Sequence, residues 1–148
     1  MDDRLYAVID TNVVVSAMIS KNPASSPLAV LAHVFSGAIT PVFNEEIISE
    51  YRDVLSRGKF HLNPLDVEEA LRVIIDYGLT LDRTTSDEVF PDPKDVVFYE
   101  VALSKEGSYL VTGNTKHFPK TPIVVTPAEM LEILKQRETR AHGASAED

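Results

Sequence analysis

The chain has 148 residues, enough for one domain with a substantial core and too few for two of ordinary size. Apolar residues make up 44% and charged residues 25%, an ordinary soluble composition; no apolar run approaches the ~20 residues of a membrane span, and the absence of Cys excludes disulfides, thiolate zinc sites and cysteine nucleophiles. Fourteen Lys plus Arg against 23 Asp plus Glu leave a net charge of −9, which argues against a basic surface that tracks a nucleic-acid groove tightly.

Taken in chain order, apolar β-branched runs alternate with segments of helical period. Residues 5–9, 38–43 and 109–112 read as buried strands, with 79–81 and 123–125 as shorter ones. Helices are expected over 13–18, 27–36, 45–57, 65–77, 94–104 and 128–135. Four of the nine prolines follow a capping residue, at Ser26-Pro27, Asn63-Pro64, Asp92-Pro93 and Thr126-Pro127, so each reads as an N-cap before a proline at the first helical position. After Leu134 the sequence loses its large apolar residues. The expected organisation is therefore one domain over residues 1–137 and a disordered tail over 138–148. No secretory leader is recognisable at the N-terminus, and with no Cys the expected compartment is the cytoplasm.

Strand–helix alternation with uniformly apolar strands predicts an α/β fold with a central, mainly parallel sheet covered on both faces. In such folds ligands bind beyond the carboxyl ends of the strands, so the strand exits are the places to look for chemistry. The first strand runs straight into Asp10-Thr11-Asn12, which places a carboxylate there; an N-cap for the next helix is the ordinary alternative. On the 45–57 helix, at about 100° per residue, Glu50 lies some 40° from Val54 at the edge of the apolar stripe. It is thus the acid of that helix expected to be partly buried. Glu45 and Glu46 are accounted for as first-turn acids after an Asn44 cap. In Asp92-Pro93-Lys94-Asp95 the first acid is assigned to capping. Asp95 falls on the side of Phe98, Tyr99 and Ala102 and is assigned to the site. The strand exit Leu110-Val111-Thr112-Gly113-Asn114 brings a glycine expected to turn the chain sharply and an amide at the sheet edge.

Gathering Asp10, Glu50 and Asp95 in one cleft is costly, because two unit charges ~4 Å apart repel by ~4 kcal/mol at an effective dielectric near 20. Such a cluster implies raised pKa values or a hard divalent cation, and all-oxygen ligands favour Mg²⁺ or Mn²⁺. Asn114 offers only a neutral carbonyl, a weak ligand. Basic and aromatic residues form two small groups, Arg57, Lys59, Phe60 and His61 after the Glu50 helix, and Lys116, His117 and Phe118 after Asn114. Both could contact phosphate and an unstacked base; scattered solubilising loop residues are the plain alternative. Four His without Cys show no zinc-ligand spacing.

The succession Val8-Ile9-Asp10-Thr11-Asn12, Glu50-Tyr51-Arg52-Asp53-Val54-Leu55, Asp92-Pro93-Lys94-Asp95 followed by Ala102-Leu103, and Leu110-Val111-Thr112-Gly113-Asn114 resembles a PIN domain. It is most similar to the VapC-like toxin components of toxin–antitoxin modules. The resemblance extends to about Leu134 and rests on order and spacing. It implies a three-layer α/β/α sandwich, an endoribonuclease dependent on Mg²⁺ or Mn²⁺, a homodimer and an antitoxin protein as partner. The three family acids fall on Asp10, Glu50 and Asp95, with Thr11, Asn12 and Thr112 at supporting polar positions. Where many members carry a fourth Asp this chain has Asn114, which implies one firmly held ion. A catalytically weak or inactive module that binds a protein partner is the rival reading. A haloacid-dehalogenase-like phosphatase would need a second Asp at position 12, where Asn stands.

Overall fold

The computed structural model describes residues 3–147, with side chains as far as Arg140. Five strands, β1 (Tyr6–Ile9), β2 (Thr40–Phe43), β3 (Leu79–Thr80), β4 (Tyr109–Val111) and β5 (Val124–Val125), form one sheet in the order β3-β2-β1-β4-β5. Every pairing is parallel. Parallel neighbours need crossovers: α1 (Thr11–Ile19) and α2 (Ser26–Ser36) lie between β1 and β2, α3 (Glu45–Leu55) and α4 (Pro64–Tyr77) between β2 and β3, and α5 (Val96–Leu103) between β3 and β4, while the β4–β5 connection holds a 3₁₀ turn and α6 (Pro127–Glu147) follows β5. The result is the expected three-layer α/β/α sandwich. Residues of β1, β2 and β4 are almost completely buried, as a sheet covered on both faces requires. Helix α5 packs against β1, β2 and β4 and is apolar nearly all round, with Val97 to Ala102 buried without a break.

Strand order decides where a site can form. The chain runs from β1 outward to β2 and β3, then returns to the other side of β1 with β4 and β5. The switch point, where successive crossovers leave in opposite directions and open a crevice, lies between the carboxyl ends of β1 and β4. Val8 and Ile9 of β1 stand beside Leu110 and Val111 of β4, so residues 10–12 and 112–114 emerge side by side.

Capping follows the polar residues, with shifts of detail. Asn44 Oδ1 accepts from Ile47 N at 2.9 Å, Asn63 Oδ1 from Leu65 N at 2.8 Å. Thr126 and Glu129 form a reciprocal capping box, Thr126 Oγ1 accepting from Glu129 N and Glu129 Oε1 from Thr126 N. Helix α2 is capped by Ser25 rather than Ser26. The helix expected over 94–104 is divided: a 3₁₀ turn over Pro93–Asp95 precedes α5, leaving Asp95 at the junction. Helix α6 runs well past residue 135, to Glu147, so the expected boundary at 137 falls within it. Most of the expected tail, residues 141–148, lies outside the residues whose side chains are described.

Candidate active site

Asp10 ends β1 and caps α1, and its carboxylate is the centre of a polar network. It is only 6% exposed. Oδ1 accepts from Thr11 N at 2.8 Å; Oδ2 accepts from Thr112 Oγ1 at 2.7 Å and from Asn12 Nδ2 at 3.2 Å. The Thr112 contact crosses from β1 to β4 and exists because those strands are neighbours. Thr112 is fully buried and itself accepts from Asn114 N at 3.0 Å. Asn12 Oδ1 accepts from Gly113 N at 3.2 Å, so the amide orientation is set by partners on both of its atoms.

Glu50 reaches this network from α3. It is half-buried, and one of its oxygens accepts from the Thr11 hydroxyl, so Thr11 bridges Asp10 through its backbone and Glu50 through its side chain. Tyr51, the next residue, is buried and donates its hydroxyl to the carbonyl of Ile9 at the end of β1. That bond locks α3 to the strand that delivers Asp10.

Asp95 approaches from the turn before α5 and is half-buried, with 18% of its side chain exposed. His117 Nδ1 stands 3.5 Å from Asp95 Oδ2, an ion-pair distance without hydrogen-bond geometry. This Oδ2 is buried and has no hydrogen-bond partner. Buried carboxylate oxygens are normally satisfied, so an orphaned one calls for an explanation such as a ligand or ion.

The electrostatics tie the three acids together. Burial pushes the Asp10 carboxyl up from 3.8 to about 6; the Thr112 and Thr11 hydrogen bonds oppose this, while the charges of Asp95 and Glu50 add to it. Asp95 is raised as well, by burial first and then by Asp92, with Glu50 adding and His117 opposing. Burial, with Asp10 and Glu50 adding, drives the Tyr51 hydroxyl well above its ordinary value. Among the described residues, no three His, Asp or Glu side chains converge on one point as ligands of one ion. The donor set is nevertheless all oxygen, as a hard divalent cation prefers. With the orphaned Asp95 Oδ2 and the upward-shifted Asp10, these residues fit such an ion.

The remaining expected site residues are placed unevenly. Asp92 Oδ1 accepts from Lys94 N at 2.9 Å, a capping bond. Asn114 is exposed, and only its backbone joins the network. Gly113 does not turn the chain through a left-handed conformation, and a Cβ there would meet Asn12 at an ordinary 3.5 Å; its contribution is its N–H. Lys59 and His61 lie in the exposed turn after α3, Lys59 with its ammonium 5.1 Å from the Phe60 ring centre. Lys116 is exposed, on the same 3₁₀ turn as His117.

Two residues went unremarked at the sequence level. Glu100 is buried, accepts from Ser86 N at 2.8 Å and pairs with Arg83 at 2.7 Å. Arg83 also pairs with Glu46 of α3 at 2.9 Å, so Arg83 ties the segment before α5 to both α3, which carries Glu50, and α5, which Asp95 precedes. Burial works against ionisation of Glu100, but the Ser86 N–H and Arg83 outweigh it and hold the carboxyl below its ordinary range. The available signal was that Glu100 is the lone charge in Val96–Leu103.

No curated protein and no solved structure matches the chain. A family profile described as PIN domain matches residues 6–116, three quarters of the sequence, from β1 through α5 and β4 to the turn bearing Lys116. With an all-parallel sheet whose switch point collects these acids, that match makes the chain a member of the PIN domain family, a fold of nuclease type.

Proposed function

We propose that the protein is an endoribonuclease dependent on Mg²⁺ or Mn²⁺, acting as the toxin of a toxin–antitoxin pair. The observation that carries the catalytic part of this reading is the electrostatic coupling of Asp10 with Asp95 and Glu50 at the switch point, with the buried Asp95 Oδ2 making no hydrogen bond. Asp10, Glu50 and Asp95 would hold the cation, Asn114 contributing weakly. A hard divalent cation supplies acidification of a water molecule and neutralisation of the phosphate. The chain's own part is to hold the acids in place. Three donors fix Asp10, the Thr11 hydroxyl fixes Glu50, and Tyr51 ties the Glu50 helix to β1. Asp95 Oδ2 stays available.

The test is cleavage of single-stranded RNA in Mn²⁺, with manganese binding followed by calorimetry. Wild type is expected to cleave and to bind; Asp95→Asn is expected to lose both while its circular dichroism is unchanged. Full cleavage by Asp95→Asn overturns the assignment. The toxin role predicts growth arrest on induction, relieved by co-expression of a partner encoded beside it, and a homodimer in solution. Phe35, Leu65, Ile75 and Tyr77 of α2 and α4 are large exposed apolar residues suited to such contacts. Among the described residues no helix is long and apolar enough to cross a membrane.

The exposed Asn114 and the separation of the acids favour one other reading, a non-catalytic module that binds a protein partner. Absence of heat and of any melting shift with millimolar Mn²⁺ would support it.

A further inference from the structure

A second cleft adjoins the site on the β4–β5 side. It measures about 510 Å³ and is lined by Lys116, Phe118, Lys120, Thr121 and Glu129, among others, a size ordinary for small-ligand pockets. Its wall includes the turn whose His117 stands beside Asp95. The turn Thr115–His117 supplies Lys116 to the cleft and His117 to Asp95, and its start is held by Asn114 N on Thr112 Oγ1, which in turn donates to Asp10. The far end of the segment is anchored by Phe118, which is 7% exposed and packs edge-on against Phe90 at 5.9 Å.

Three observations say what the cleft suits. First, Lys116 and Lys120 are exposed and have no ion-pair partner among the described residues. By contrast Arg52, Arg57, Arg72 and Arg83 are all committed to carboxylates. Second, Thr121 Oγ1 is buried at the cleft and has no hydrogen-bond partner. Third, another cleft, about 490 Å³ beside Glu50, is lined by Glu46 and Asp53 as well, against Arg57 and Lys94, and Arg57 is already paired with Asp53. Of these two clefts, the one at Lys116 has more cations than carboxylates in its lining, and the one beside Glu50 has more carboxylates than cations. The carboxylate of Glu129 on the rim repels phosphate, and the oxygen not used by Thr126 N can accept from the donor edge of a base.

We infer that this cleft is a nucleotide subsite for single-stranded RNA, with Lys116 and Lys120 on the phosphate next to the scissile one and the Thr121 hydroxyl and Glu129 toward its base. The inference rests on the ribonuclease reading and deepens it. Lys120, Thr121 and Glu129 lie beyond residue 116, where the family match ends.

Fluorescence anisotropy of a labelled single-stranded RNA, in EDTA to suppress cleavage, tests it on the full chain. Lys116→Ala/Lys120→Ala is expected to weaken Kd about tenfold at low salt and to flatten the log Kd against log salt slope by about 0.7, the value for one phosphate contact on a single strand. Thr121→Val is expected to weaken Kd several-fold with the slope unchanged. Unaltered affinity of the lysine variant, weakening without a change of slope, or equal binding of duplex RNA overturns the subsite. Binding through these lysines without any Mn²⁺-dependent cleavage would retain the subsite and reject the catalytic reading. A wild type that neither binds nor cleaves RNA rejects both.

Discussion

Replacing Asp10 by Asn should stabilise the metal-free protein at neutral pH, although it removes the central acid of the site. The folded-state pKa of Asp10 is raised from 3.8 to about 6. Its stabilising contribution is thus fully present below about pH 3.8 and lost as pH rises through about 6, because the folded state binds that proton more tightly than the unfolded chain. The gap between 3.8 and about 6, at 1.36 kcal/mol per unit, makes the charged form cost about 3 kcal/mol in the folded state. The neutral amide of the Asp10→Asn variant escapes that cost but meets one of its own. Its nitrogen would take the place of Oδ2, which accepts from Thr112 Oγ1 and Asn12 Nδ2. Asn12 cannot simply flip, since its Oδ1 holds Gly113 N. A donor facing a donor there costs about 1 kcal/mol. The net gain at pH 7.5 is about 1–2 kcal/mol, or a melting point higher by about 2–8 °C for a chain of this size. Near pH 4 the sign reverses, wild type being the more stable by about 1 kcal/mol. Calorimetric melting of both proteins in EDTA from pH 4 to 8 should therefore show curves that cross. A variant less stable than wild type at pH 7.5, or a difference that does not change between pH 4 and 7, would refute the reasoning.

Other consequences follow from neighbouring contacts. Glu100→Gln should cost about 1–2 kcal/mol in urea unfolding, modest because Arg83 is more than a third exposed and keeps Glu46. The carboxyl is held below its ordinary value, so wild type loses this contribution as the pH falls through that lowered value and the variant should not. Tyr51→Phe removes the hydroxyl that the Ile9 carbonyl accepts from and should cost about 1–2 kcal/mol, read by thermal melting. Gly78→Ala should destabilise strongly, by about 3 kcal/mol, since a Cβ there would sit 2.5 Å from the Ile74 carbonyl and 2.6 Å from Phe43 and the Pro41 carbonyl. A variant as stable as wild type would mean that the packing of α4 onto β2 yields easily.

The elements and two of the strand exits were legible because their causes are local. Runs such as Tyr6–Ile9 and Tyr109–Val111 are apolar without interruption, and Asn44, Asn63 and Thr126 each announce the helix that follows. The helical wheel placed Glu50 at the edge of its apolar stripe, and it is half-buried in the fold. The split of the expected 94–104 helix was not legible, since Asp92-Pro93 begins a 3₁₀ turn as readily as an α-helix. Nor was the exposure of Asn114, which follows from the path of the chain after β4.

By itself, then, the sequence determined which residues form strands and helices and which acids stand at their ends, because those follow from periodicity and capping over a few residues. It also set the balance of charge that keeps any nucleic-acid contact confined to a few cations. Only the tertiary structure decided that β4 returns beside β1 and not beyond β3, and so that Thr112 donates to a carboxylate 102 positions away in sequence. The tertiary structure likewise left Asp95 Oδ2 without a hydrogen bond, 3.5 Å from His117 Nδ1, and placed Lys116 and Lys120 in one cleft. Strand order is set by which apolar faces bury best against one another across the whole chain, and no local pattern carries that information.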